Sequence, residues 1–121
     1  MLVVDDNVDA ANALGMLLSM LDVEYSVVHD GPGALALDQQ FNPDVVLLDI
    51  GMPGMDGYAV ARALRAPPHS SQALLVALTG WSDLKDHELS RAAGFDHHLR
   101  KPADISEIMQ LLGSRQAAAT R

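Results

Sequence analysis

Five side chains have the types and placement for phosphoryl chemistry beside a hard metal ion: Asp5, Asp6, Asp49, Thr79 and Lys101. Packed carboxylates repel one another and are costly unless a cation neutralises them. Oxygen ligands without cysteine or clustered histidine suit Mg²⁺, with Mn²⁺ as the alternative. A Mg²⁺ held by few protein ligands keeps positions open for phosphate oxygens. Lys101 offers a compact positive charge to a phosphoryl oxygen, and Thr79 offers a hydroxyl donor. An aspartate can also be the nucleophile and form an aspartyl phosphate. The run Gly51-Met52-Pro53-Gly54-Met55-Asp56-Gly57 directly follows Asp49 and lets backbone come close to a metal or phosphoryl group.

Taken singly, these residues have ordinary explanations. Asp5 and Asp6 could end a strand and cap a helix, Thr79 could be a common strand-end threonine, and Lys101 could be solvated. Their joint position at strand ends gives them weight, so the elements that place them matter. Leu2-Val3-Val4, Val45-Val46-Leu47-Leu48 and Ala73-Leu74-Leu75-Val76-Ala77-Leu78 are purely apolar and lack the alternation of a half-exposed strand. They predict strands covered on both faces, as in a parallel sheet. Glu24–His29 and Phe95–Arg100 are mixed, which predicts edge strands.

Helical spacing fills the gaps. Leu14, Leu17, Leu18 and Leu21 follow the cap residue Asn7, and Leu35, Leu37 and Phe41 follow Gly31-Pro32-Gly33. Val60, Ala61 and Leu64 follow Gly57 and stop before Pro67-Pro68. Leu84, Leu89, Ala92 and Ala93 follow Ser82 and stop at Gly94, and Ile105, Ile108, Met109 and Leu112 follow Asp104. Five strands alternating with five helices predict an α/β fold: a flavodoxin-like, doubly wound five-stranded parallel sheet of order 2-1-3-4-5, with helices on both faces. In such a sheet ligands bind at the carboxyl ends of the strands, where all five residues fall.

Composition narrows the function classes. The chain has 121 residues, 49% of them hydrophobic and 20% charged, which suits a single globular domain. The expected division is residues 1–115 as the domain and 116–121 as a tail or the start of a linker. Acidic residues outnumber basic ones 16 to 8, for a net charge of −8, which argues against nucleic acid or an anionic membrane as a partner. The absence of cysteine excludes disulfides, thiolate nucleophiles and thiolate metal sites. No apolar run approaches the ~18 residues of a membrane span, no signal peptide is visible, and a cytoplasmic location is expected. There is neither a dinucleotide fingerprint nor a P-loop. His97 and His98 are adjacent on a strand and point to opposite faces, and His29, His69 and His87 read as isolated surface residues.

Together, Leu2-Val3-Val4-Asp5-Asp6-Asn7, Asp44–Gly57, Ala77-Leu78-Thr79-Gly80 and Lys101-Pro102 resemble the receiver domain of two-component response regulators, over essentially the whole chain. The resemblance implies a signalling phosphoacceptor, not an enzyme acting on metabolites. A histidine kinase or histidine phosphotransfer protein would phosphorylate Asp49. Asp6, Asp49 and the Gly51 carbonyl would bind Mg²⁺, Asp5 would act mostly through water, and Thr79 and Lys101 would contact the phosphoryl group. The Lys101–Pro102 peptide would be cis. Thr79 and His98, three residues before the lysine, would form the switch. The stretch Gly94–Pro102 is similar to receivers of hybrid histidine kinases, and a fused kinase or output domain is one expectation beside a stand-alone receiver. Three positions depart from the usual pattern: His98 replaces the common Tyr or Phe, and Gly51 and Trp81 stand where the family tunes acyl-phosphate lifetime. Two alternatives compete. A haloacid-dehalogenase-type phosphatase would need a second aspartate where Gly51 stands, and a phosphorylation-independent scaffold would not need the five residues intact.

Overall fold

Apolar runs of three to six residues are too short for helices and fully buried only within a sheet covered on both sides. That is where they lie. The structure, a computed structural model, describes residues 1–41, 43–51, 56–67, 72–79, 91–100, 104 and 106–111. In chain order the elements are β1 (Leu2–Val4), α1 (Val8–Met20), β2 (Ser26–Val28), α2 (Gly31–Phe41), β3 (Val45–Asp49), α3 (Gly57–Arg65), β4 (Leu74–Thr79) and β5 (His97–Arg100). Residues 91–93 and 106–111 are also helical. The five strands are all parallel, in the order β2-β1-β3-β4-β5.

The pleat sends alternate side chains to opposite faces. Val3, Leu47, Val76, Leu78 and Leu99 pack with Ala11, Leu14 and Leu18 of α1 and with Ile108 and Leu111. Leu2, Val4, Val46, Leu48, Leu75 and Ala77 pack on the other face with Ala34 of α2 and Val60, Ala61 and Leu64 of α3. β1 and β3 are buried at every residue. The mixed segments are the edges, as expected, but shorter: Ser26–Val28 and His97–Arg100. An edge strand has a partner on one side only, so its pairing ends sooner.

The helix starts are written locally. The Asn7 side chain accepts from the Ala10 N–H at 3.0 Å and the Asp56 side chain from the Ala59 N–H at 2.9 Å. The start of α2 differs from expectation. Gly31-Pro32-Gly33 is not a lead-in but its first turn, with the Gly33 N–H on Asp30 Oδ1 at 2.7 Å. Proline is tolerated there because the first N–H groups of a helix have no partner within it. The described helical residues 91–93 contain Ala92 and Ala93, while Ser82, Leu84 and Leu89 lie outside the described residues.

One staple ties α3 to the starts of β4 and β5. The Arg65 guanidinium donates to the Ala73 carbonyl at 2.8 Å, to the Gly94 carbonyl at 2.9 Å and to Asp96 Oδ2 at 2.8 Å. The same carboxylate oxygen accepts from the Leu75 N–H at 2.9 Å. Gly94 has φ 107°, the left-handed region that glycine enters without penalty.

Candidate functional site

β1 and β3 are neighbours, so their carboxyl ends bring Asp5 and Asp6 beside Asp49. One carboxylate oxygen from each of the three lies within 4.8 Å of the others. Asp5 and Asp49 are buried, at 2% and 6% exposure, whereas Asp6 is exposed. The pocket therefore has two carboxylates in its wall and one at its mouth.

Short turns orient the two buried carboxylates. Asp5 Oδ1 accepts from the Asn7 N–H and Asp49 Oδ1 from the Gly51 N–H, each at 3.0 Å and each from two residues on. Each acid is thus aimed by the backbone that leaves its own strand. Gly57 brings the following helix close. A Cβ there would stand 2.4 Å from Ile50 Cα and 2.7 Å from the Asp49 carbonyl oxygen, and its N–H donates to the Ile50 carbonyl at 3.3 Å. Gly51 is different: among the described residues, a Cβ there would meet only Asp49 Oδ1, at the ordinary contact distance of 3.6 Å. Packing against the described residues does not demand glycine at 51.

Thr79 ends β4, next to β3, and is buried at 6% exposure. It lies one residue beyond the Asp49–Leu78 pair and is itself paired with Arg100. His98 is paired with Ala77, two residues before Thr79, so both belong to one face of the sheet. His98 is half-buried, and its Nε2 is shielded from solvent. Lys101, Pro102 and Trp81 lie outside the described residues.

The donor set suits a hard dication: three carboxylates, two of them oriented in advance, with no sulfur or imidazole among the ligand atoms. A cavity of about 610 Å³ opens at the other end of the sheet, beside Leu2, Tyr25, Leu37 and Phe41, away from the acids. His29 is the residue that sequence reasoning passed over. Its Nδ1 lies 2.9 Å from the Asp5 carbonyl oxygen. The sequence signal was only its place, at the end of an expected edge strand.

Comparison with known proteins agrees with this geometry. The chain is 36% identical over 114 residues to the DNA-binding response regulator MtrA of Mycolicibacterium paratuberculosis, covering 94% of this chain and 49% of that protein. This chain thus spans about half the length of such curated relatives. Among solved structures, it superposes on the signal receiver domain of a signal transduction histidine kinase from Syntrophus aciditrophicus with a TM-score of 0.85 and 28% identity, covering 99% of this chain and 91% of that one. The chemotaxis protein CheY4 of Vibrio cholerae gives a TM-score of 0.86 with 26% identity, covering 93% and 94% of the two chains. The profile of the response regulator receiver domain matches residues 1–113, and with the acids gathered at the carboxyl end of a 2-1-3-4-5 sheet, this chain belongs to that family.

Proposed function

We propose that Asp49 is the phosphoacceptor of this receiver domain, with Asp6, Asp49 and the Gly51 carbonyl holding a Mg²⁺ and Asp5 supporting it from the pocket wall. As a receiver, the chain is a signalling phosphoacceptor and not an enzyme of metabolism. The observation that carries the assignment is the position of Asp49. It ends a wholly buried strand, is aimed by the Gly51 N–H, and stands with Asp5 and Asp6 within 4.8 Å.

The donor is a phosphohistidine of a histidine kinase or histidine phosphotransfer protein, the partner class of receiver domains. An Asp49 carboxylate oxygen attacks phosphorus, the N–P bond breaks, and the imidazole leaves with its electron pair and takes up a proton. Hydrolysis later returns the carboxylate and inorganic phosphate. A bound Mg²⁺ offsets the charge gathered by the carboxylates and the phosphoryl oxygens. Thr79 donates its hydroxyl to the phosphoryl group and Lys101 supplies the fixed positive charge. Thr79 and His98 form the switch, an assignment supported by their shared sheet face two positions apart.

The glycine at position 51 also bears on the alternatives, since a phosphatase of the haloacid-dehalogenase type needs an acid there. No described helix is long and apolar enough to cross a membrane, and a cytoplasmic setting suits transfer from a kinase. The stretch Gly94–Pro102 and the likeness to a histidine kinase's receiver support a hybrid-kinase origin.

Incubation with acetyl phosphate and Mg²⁺ is expected to add one phosphoryl group, labile to hydroxylamine, and Asp49→Asn is expected to add none. Labelling of Asp49→Ala at the wild-type rate, read by intact mass, overturns the assignment.

A further inference from the structure

The peptide joining Asp5 to Asp6 holds two acids beside a third. Like charges this close disfavour one another, so the backbone that places them matters. One side of it is secured by the sheet, where the Asp5 N–H donates to the Val28 carbonyl at 3.1 Å. A second tie comes from the Asn7 N–H on Asp5 Oδ1. The third is not backbone. β2 ends at Val28, the chain turns into α2 at Gly31, and between them the His29 ring reaches back to the Asp5 carbonyl at 2.9 Å, across 24 residues of sequence. A carbonyl oxygen only accepts, so Nδ1 carries the hydrogen and donates.

Because the peptide unit is planar, the direction of the Asp5 carbonyl also sets the direction of the Asp6 N–H and the position of Asp6 Cα. Asp6 is exposed and follows immediately, so its carboxylate depends on that peptide for its place beside Asp49.

We propose that His29 is a positioning residue of the acidic pocket: its imidazole clamps the Asp5–Asp6 peptide and keeps the three carboxylates together before a divalent cation binds. It touches neither cation nor phosphoryl group and acts through Asp5. This rests on the reading of the pocket as a divalent-cation site.

The experiment is a Mg²⁺ titration followed by amide NMR shifts on wild type, His29→Leu and His29→Asn. Asparagine carries its N–H₂ on Cγ, the same number of bonds from the backbone as Nδ1, whereas leucine carries no donor. The His29 side chain is exposed, so neither change disturbs the core. Loss of one such hydrogen bond is expected to weaken Mg²⁺ binding by about fivefold in His29→Leu, with His29→Asn restored to within about twofold of wild type. Without any metal, the Asp6 and Asn7 amide signals are expected to move in the leucine variant and to return in the asparagine variant. Wild-type affinity and unmoved Asp6 signals in His29→Leu overturn the inference while leaving the cation site standing, and so does an equal loss in both variants. A wild-type protein that binds no Mg²⁺ overturns the cation site, and the inference with it.

Discussion

At the scale of single residues, the pocket is a balance between repulsion and orientation. Asp5 and Asp49 are buried and aimed by their own turns, while Asp6 stands at the mouth with solvent to screen it. Removing the exposed charge relieves repulsion without leaving a hole. Asp6→Asn is therefore expected to raise the melting temperature of the metal-free protein slightly and to abolish the response to Mg²⁺. At Mg²⁺ about tenfold above its Kd, the wild type gains about 1.4 kcal/mol. Thermal melts with and without Mg²⁺ check this, and a variant that gains as much as wild type contradicts it. The sequence placed all three acids at strand ends, because a polar residue closing an apolar run is visible locally. It could not tell the buried acid of the adjacent pair from the exposed one, since that depends on which side of the turn faces the neighbouring strand.

At the scale of elements, the turn between β3 and α3 separates two kinds of glycine. At Gly57 a methyl group would collide with the backbone of Ile50, which cannot swing aside, whereas at Gly51 it would meet ordinary contact distance. Gly57→Ala is expected to cost about 1–3 kcal/mol as an overpacked site. Gly51→Ala is expected to stay within about 0.5 kcal/mol of wild type. Urea denaturation of the two variants measures the difference, and equal costs would contradict the distinction. Both glycines stood in the same turn-rich run of the sequence, which therefore marked the turn without ranking its members. The start of α1 was more legible, because the Asn7 cap acts over three residues. The start of α2 was not, because Gly31-Pro32-Gly33 suits both a loop and a first helical turn, and packing of Ala34 against the sheet favours the latter.

At the scale of the whole molecule, a charge of −8 disfavours approach to a phosphate backbone. The matched relatives include DNA-binding response regulators, but this chain spans about half their length. This chain alone is therefore expected to leave the anisotropy of labelled duplex DNA unchanged at physiological salt, and saturable binding would contradict that. The sequence by itself determined the parallel sheet and the edge that carries the chemistry. Uninterrupted apolar runs such as Val45–Leu48 bury only inside a sheet covered twice, and every such run closes on a polar residue. Only the tertiary structure decided that Asp5 is buried beside an exposed Asp6, that Gly57 must lack a side chain, and that His29 meets the Asp5 carbonyl. Patterns of burial are short-range properties of the chain. Contacts across 24 residues depend on how β1 and β2 align, and that register is set by packing of the whole sheet against its helices.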